Sequence, residues 1–120
     1  MPEFKRINKT DIAFFESILP KERVLTGDSI SEDFSRDEMT EYGTFAPDAV
    51  LKVVNAQEVS DILRYCNEQG IPVTPRGAGT GLCGGCVAIY GGVLLDVSQM
   101  KRLIEIDKVN MTATVEPGLM

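Results

Sequence analysis

Ile71-Pro72-Val73-Thr74-Pro75-Arg76-Gly77-Ala78-Gly79-Thr80-Gly81-Leu82-Cys83-Gly84-Gly85 decides how this chain is read. A short β-type run leads directly into a loop where five of the chain's 11 glycines fall within nine positions. Each glycine costs conformational entropy on folding, so such density is unexpected unless the bare backbone is used. Stripped of side chains, peptide N–H groups can converge on one spot. An anion suits that spot, and a phosphate or pyrophosphate is the common guest.

The flanks supply the frame. Upstream, Ala49-Val50-Leu51-Lys52-Val53-Val54 is β-rich and bounded by Pro47-Asp48 and Asn55, which predicts a first strand. Residues 56–69 follow a helical period, with Val59, Ile62, Leu63 and Cys66 on one face and Gly70 just past the end. Pro72 to Thr74 forms a second strand that enters the loop, and Gly92 to Val97 forms a third, closed by Ser98. Leu103 to Asp107 and Met111 to Glu116 read as an antiparallel pair around Lys108-Val109-Asn110. The fold class is therefore α/β shading into α+β: a small parallel β-α-β subdomain carrying the loop, then the start of an antiparallel subdomain.

Ahead of this frame, Asn8 or Thr10 can cap a helix over Asp11 to Leu19, stopped by Pro20, with Ile12, Phe15, Ile18 and Leu19 inward. Residues 21–46 are polar and irregular. Their Phe34, Met39, Tyr42 and Phe45 favour an extended segment wrapping a surface. The chain thus divides into a helix and leader over 1–46 and the strand–helix–loop unit over 47–120. Its last residues, 111–120, read as a strand that stops just after a turn, the mark of a truncated product or gene fragment.

Gly79-Thr80-Gly81-Leu82-Cys83-Gly84 satisfies G-x-G-x-x-G, the dinucleotide fingerprint, but the context does not. That fingerprint opens a helix and presents an acidic residue some 20 positions on from a following strand. Here Cys86-Val87-Ala88-Ile89-Tyr90-Gly91-Gly92 is too short and glycine-bounded to be a crossover helix, so nothing presents Asp96. With no Gly-Lys-Ser/Thr, a nucleoside-triphosphate P-loop is disfavoured too. A strand-to-strand loop can still hold a pyrophosphate through its own amides. Arg76, at the strand end, has two readings: facing the ligand, or paired with an acidic neighbour.

Composition narrows the partners. A net charge of −6 argues against nucleic acid and anionic membrane surfaces, which need a basic face. No apolar run approaches the roughly 20 residues of a membrane span, and Met1-Pro2-Glu3-Phe4-Lys5-Arg6 is not followed by the apolar core of a secretory signal. Three cysteines without an export signal point to a reducing cytoplasm. There is no histidine, which removes the commonest general base and metal ligand. The acidic residues Glu32, Asp33, Asp37, Glu38 and Glu41 fit no calcium loop and read as a solvated face. Met100, Met111 and Met120 read as core or edge packing.

"PDAVLKVVNAQEVSDILRYCNEQGIPVTPRGAGTGLCGG", residues 47–85, resembles the opening of the FAD-binding domain of the vanillyl-alcohol-oxidase / p-cresol-methylhydroxylase type of flavoprotein. It is most similar to the glycolate oxidase FAD-linked subunit and D-lactate dehydrogenase branch. "GGVLLDVSQMKRLIEIDKVNMTATVEPG", residues 91–118, continues the likeness, as does the leader segment "ILPKERVLTGDSISEDFSRDEM".

The resemblance implies that Pro75, Arg76, Gly77, Ala78, Gly79, Thr80 and Gly81 line the FAD pyrophosphate. It places Gly84 and Gly85 beside the ribityl or ring end, with Ser98, Pro117 and Gly118 approaching the cofactor. It further implies a parent flavin-dependent oxidoreductase acting on a 2-hydroxy acid, D-lactate or glycolate. Substrate would be held by a missing cap domain, and electrons passed to an iron–sulfur subunit or electron-transfer flavoprotein. No catalytic and no metal-binding residue is expected in this chain. Two other readings stay open: a partial cofactor module, inactive and weak or unable in binding FAD alone, or a superfamily relative acting on an aryl alcohol, sugar lactone or cell-wall precursor. Cys83 and Cys86 stand where relatives more often carry Ser and Ala. They read as two small residues beside a flavin rather than as a redox pair or half a metal site.

Overall fold

The computed structural model describes residues 3–120, apart from the side chain of Tyr42; Met1 and Pro2, the start of the segment read as carrying no secretory signal, lie outside the described residues. Helix α1 (Lys9–Ile18) starts at Asn8, whose side chain accepts from the Asp11 N–H at 3.0 Å, while Asp11 returns the bond to the Asn8 N–H at 2.9 Å. Such reciprocal capping satisfies two donors that a helix start leaves open. A short strand, β1 (Val24–Thr26), follows in the stretch expected to be irregular. Helix α2 (Ala56–Gln69) begins at the Asn55 cap and ends at Gly70, whose φ of 71° is the left-handed conformation glycine adopts without penalty.

The main sheet has the order β1-β2-β4-β3, with β2 (Ala49–Lys52), β3 (Val73–Arg76) and β4 (Val93–Asp96). Strands β2, β4 and β3 are parallel, and β1 pairs antiparallel on the outer edge of β2. The glycine loop therefore leaves β3 at its carboxyl end and returns as β4 between β2 and β3. Pro75, which cannot donate to a ladder, is tolerated because β3 is an edge strand. Ligands of open α/β sheets gather beyond the carboxyl ends of the strands, which is where the loop lies.

Burial on both faces explains the continuous apolar runs of the central strands. Leu51, Val93 and Leu95 pack with Phe15, Leu19, Val24, Ile62, Cys66 and Ile71 in one core, while Val50 and Leu94, on the alternate face, are also fully buried. The leader helix and β1 thus share the core of the later strands. Leu63, expected inward, is exposed; Tyr65 takes that place, stacked on Phe14 with ring centroids 3.9 Å apart. The Tyr65 hydroxyl donates to fully buried Asp11 at 2.8 Å, and Lys5 Nζ donates to the same carboxylate at 2.6 Å.

Strands β5 (Leu103–Asp107) and β6 (Thr112–Val115) form the expected antiparallel pair, separate from the main sheet. Their apolar side chains Leu103, Ile104, Ile106 and Val115 are exposed. Met100 is buried in the core, but Met111 and Met120 are exposed, contrary to the packing expected of them. No helix among the described residues is long and apolar enough to cross a membrane.

Candidate functional site: a glycine loop at the sheet's carboxyl edge

Between Arg76 and Val93 the chain forms one long loop. Its far half is anchored by buried Val87 and Ala88, and its near half, from Ala78 to Cys83, is mostly exposed. Among the described residues, the N–H groups of residues 77–83 meet no protein acceptor. A run of unpaired, solvent-facing amides is the donor set that an anionic group needs.

The glycines separate by cause. Gly79 has φ of 73°, and a Cβ placed there would collide with the Arg76 guanidinium, so the fold itself demands glycine. Gly84, at φ 72°, is likewise left-handed. Gly81 and Gly85 are different: neither is left-handed, and a Cβ at either would have no atom within 4 Å. Gly77 would meet only the Pro117 carbonyl oxygen at 3.8 Å. Nothing in the protein requires glycine at these three positions. Their missing side chains leave open space beside the unpaired amides.

Arg76 borders the cleft beside Ala78 and Gly79, and it is not paired with an acidic neighbour. The residue is buried, and its guanidinium donates to the carbonyls of Asp33 at 2.8 Å and Arg36 at 2.7 Å. It also lies 5.6 Å over the Phe34 ring and 3.6 Å from Cys86 Sγ. Its partners are leader carbonyls and a ring, not an acidic side chain. A planar five-donor fork suits this bridging of two carbonyls.

The remaining expected positions converge on the same edge. Ser98 follows β4, and its N–H donates to buried Asp96 Oδ1 at 2.9 Å. Asp96 therefore closes a turn rather than presenting an acid to a ribose. Gly118 donates to Met100 O at 2.7 Å; a Cβ there would stand 2.7 Å from Ser98 O and 2.8 Å from Met100 O, so only glycine fits. Through Pro117 O this segment lies beside Gly77. Gly77, Ser98, Pro117 and Gly118 are thus brought together beyond the ends of β3 and β4.

One residue that matters was read wrongly. Asp37 is not part of a solvated acidic face; it is buried, and its carboxylate accepts from Gly84 N–H at 2.7 Å and Met39 N–H at 2.8 Å. Between leader and loop lies a cleft of about 370 Å³ bordered by Arg36, Asp37, Thr40, Ala78 and Gly79. No local sequence signal marks Asp37, because its partner is 47 positions away.

Residues 47–120 match the family described as "FAD binding domain". The chain is 40% identical over 118 residues to a D-lactate dehydrogenase of Anaerostipes hadrus, covering 98% of this chain and 25% of that protein. It is 44% identical over 86 residues to the glycolate oxidase subunit GlcD of Bacillus subtilis, covering 72% of this chain and 18% of that one. Among solved structures, p-cresol methylhydroxylase with substrate bound superposes with a TM-score of 0.76 at 28% identity, over 90% of this chain and 22% of that one.

The chain belongs to the FAD binding domain family, and its fold is that of the p-cresol-methylhydroxylase type of flavoprotein. FAD is the cofactor of that family, and the residues present fit it. The unpaired amides of residues 77–83 and the side-chain-free space at Gly77 and Gly81 are the kind of donor set that suits a doubly charged pyrophosphate. The chain spans about a quarter or less of the length of these relatives.

Proposed function

We propose that this chain supplies the pyrophosphate-holding part of an FAD-dependent oxidoreductase that oxidises a 2-hydroxy acid, D-lactate or glycolate being the first candidates. The observation that carries the reading is the loop at the carboxyl end of β3, where unpaired amides coincide with glycines that the protein itself does not need. The similarity to a D-lactate dehydrogenase and a glycolate oxidase subunit supports the substrate class.

In this reading the amides of Gly77, Ala78, Gly79, Thr80 and Gly81 hold the pyrophosphate, and the exposed Thr80 hydroxyl adds a donor. Gly84 and Gly85 leave room for the ribityl chain or ring, while Ser98, Pro117 and Gly118 flank the cofactor from the β4 side. Arg76 and Pro75 serve from the strand, shaping the loop rather than reaching into it. When bound, the flavin supplies hydride acceptance; the protein's share is to bind, orient and neutralise charge. The electrons then pass to an iron–sulfur subunit or electron-transfer flavoprotein, in a reducing cytoplasm, a setting with which the three free cysteines agree.

The test is anaerobic reduction of the FAD-loaded enzyme by a panel of D-lactate, glycolate, L-lactate and an aryl alcohol. Loss of the oxidised-flavin absorbance with D-lactate or glycolate is expected. Reduction by the aryl alcohol alone would overturn the substrate class.

A further inference from the structure

We propose that residues 33–38 form a strap that holds the glycine loop in its pyrophosphate-receiving shape, with Asp37 as the positioning residue. The purpose rests on the flavin reading above; the geometry does not. Four of these six leader residues, Asp33, Arg36, Asp37 and Glu38, engage the loop at three points, separated in sequence by 40 or more positions.

At the loop's entrance, Asp33 O and Arg36 O take the Arg76 guanidinium, which fills the space over Gly79. At its middle, Glu38 N–H donates to Gly81 O at 3.3 Å. At its far turn, Asp37 Oδ2 accepts from Gly84 N–H at 2.7 Å. The strap thus occupies one carbonyl and one N–H of the loop and leaves the N–H groups of residues 77–83 unpaired. Side-chain-free backbone is otherwise the most entropic part of a chain. Ordering it before the ligand arrives removes a cost that binding would have to meet. Asp37 is suited to the task because it is buried and its two carboxyl oxygens hold the strap's own Met39 N–H and the loop's Gly84 N–H together.

Amide hydrogen exchange on the 120-residue chain and its Asp37→Ala, Asp37→Asn and Arg76→Lys variants decides this, followed by titration with inorganic pyrophosphate. Exchange of the Gly84 amide, and of the Glu38 amide that donates to Gly81 O, is expected to quicken by about tenfold or more in Asp37→Ala and Arg76→Lys, while β2 and β4 amides keep their protection. Asp37→Asn, which keeps an acceptor oxygen, should recover part of the effect. Pyrophosphate affinity should fall by a similar factor. Unchanged loop exchange would overturn the strap, as would a uniform increase across the chain, which marks general stability instead. Pyrophosphate leaving the wild-type loop amides unperturbed would count against the flavin reading, while the exchange result would still decide the strap.

Discussion

Two glycines two positions apart should respond in opposite ways to the same methyl group. Gly79→Ala puts a Cβ on a residue with φ of 73° and against the guanidinium of Arg76, which is itself held by two carbonyls. The left-handed backbone costs about 1–2 kcal/mol for a non-glycine residue. Displacing a packed, hydrogen-bonded group adds about 1–3 kcal/mol, for a loss of about 2–5 kcal/mol in all. Gly81→Ala meets nothing within 4 Å and no left-handed penalty, so the narrower unfolded ensemble should raise stability by up to about 1 kcal/mol. At roughly 4 °C per kcal/mol for a domain of this size, a thermal melt separates the two by 8 °C or more.

Ligand binding should reverse the ranking of harm. A methyl in the cradle overpacks the FAD, by about 1–3 kcal/mol or about 5- to 150-fold in affinity, in a titration that the stable Gly81→Ala protein allows. If Gly81→Ala melts as early as Gly79→Ala, glycine at 81 serves the fold. If it binds FAD as tightly as wild type, the open space is not ligand space. Either result refutes the reasoning.

Asp11→Ala should cost about 2–3 kcal/mol in a urea titration, because it leaves the Asn8 N–H and the Tyr65 hydroxyl without their acceptor while the part-exposed Lys5 ammonium turns to water; a loss below about 1 kcal/mol would show the network to be idle. Acid should unfold the chain through the same groups. Burial alone would raise the Asp11 carboxyl, but hydrogen bonds from Lys5, Asn8 and Tyr65 outweigh it and hold the group below its ordinary value. The Arg23 fork does the same to Glu58. Both carboxyls are lowered on folding, so their contribution is full above about pH 5 and is lost as pH falls through the folded values. A urea midpoint that stays flat down to pH 3 would contradict this. Thiol alkylation of the native chain at pH 8 should consume Cys83 and Cys86 but spare Cys66, which burial pushes up to about 11; equal labelling of all three would contradict the buried placement.

The parts of the fold legible in sequence are those written in local code. The Asn55 cap and Gly70 stop fixed α2 to the residue, the apolar β2 and β4 runs announced a buried parallel sheet, and the alternation around Lys108-Val109-Asn110 gave the β5–β6 hairpin. What escaped was non-local. Strand β1 is three residues long and exists because β2 offers it an edge. Asp37 looks like any surface acid until Gly84 is folded against it, and Asp11 looks like a first-turn helix acid until Tyr65 and Lys5 close over it. The glycine loop was conspicuous as a donor set, but sequence could not say which glycines the protein needs and which it leaves open. That distinction came from the space around each Cβ.

The most direct test of the central claim is residue-resolved: titrate the isotopically labelled chain with FAD and follow every backbone amide by NMR. The account predicts weak binding whose largest shifts fall on the amides of residues 77–81 and on Gly85, with smaller ones at Ser98 and Gly118. Saturating FAD that leaves those amides in place, or shifts centred instead on the apolar groove around Ile7 and Ile12, would contradict it.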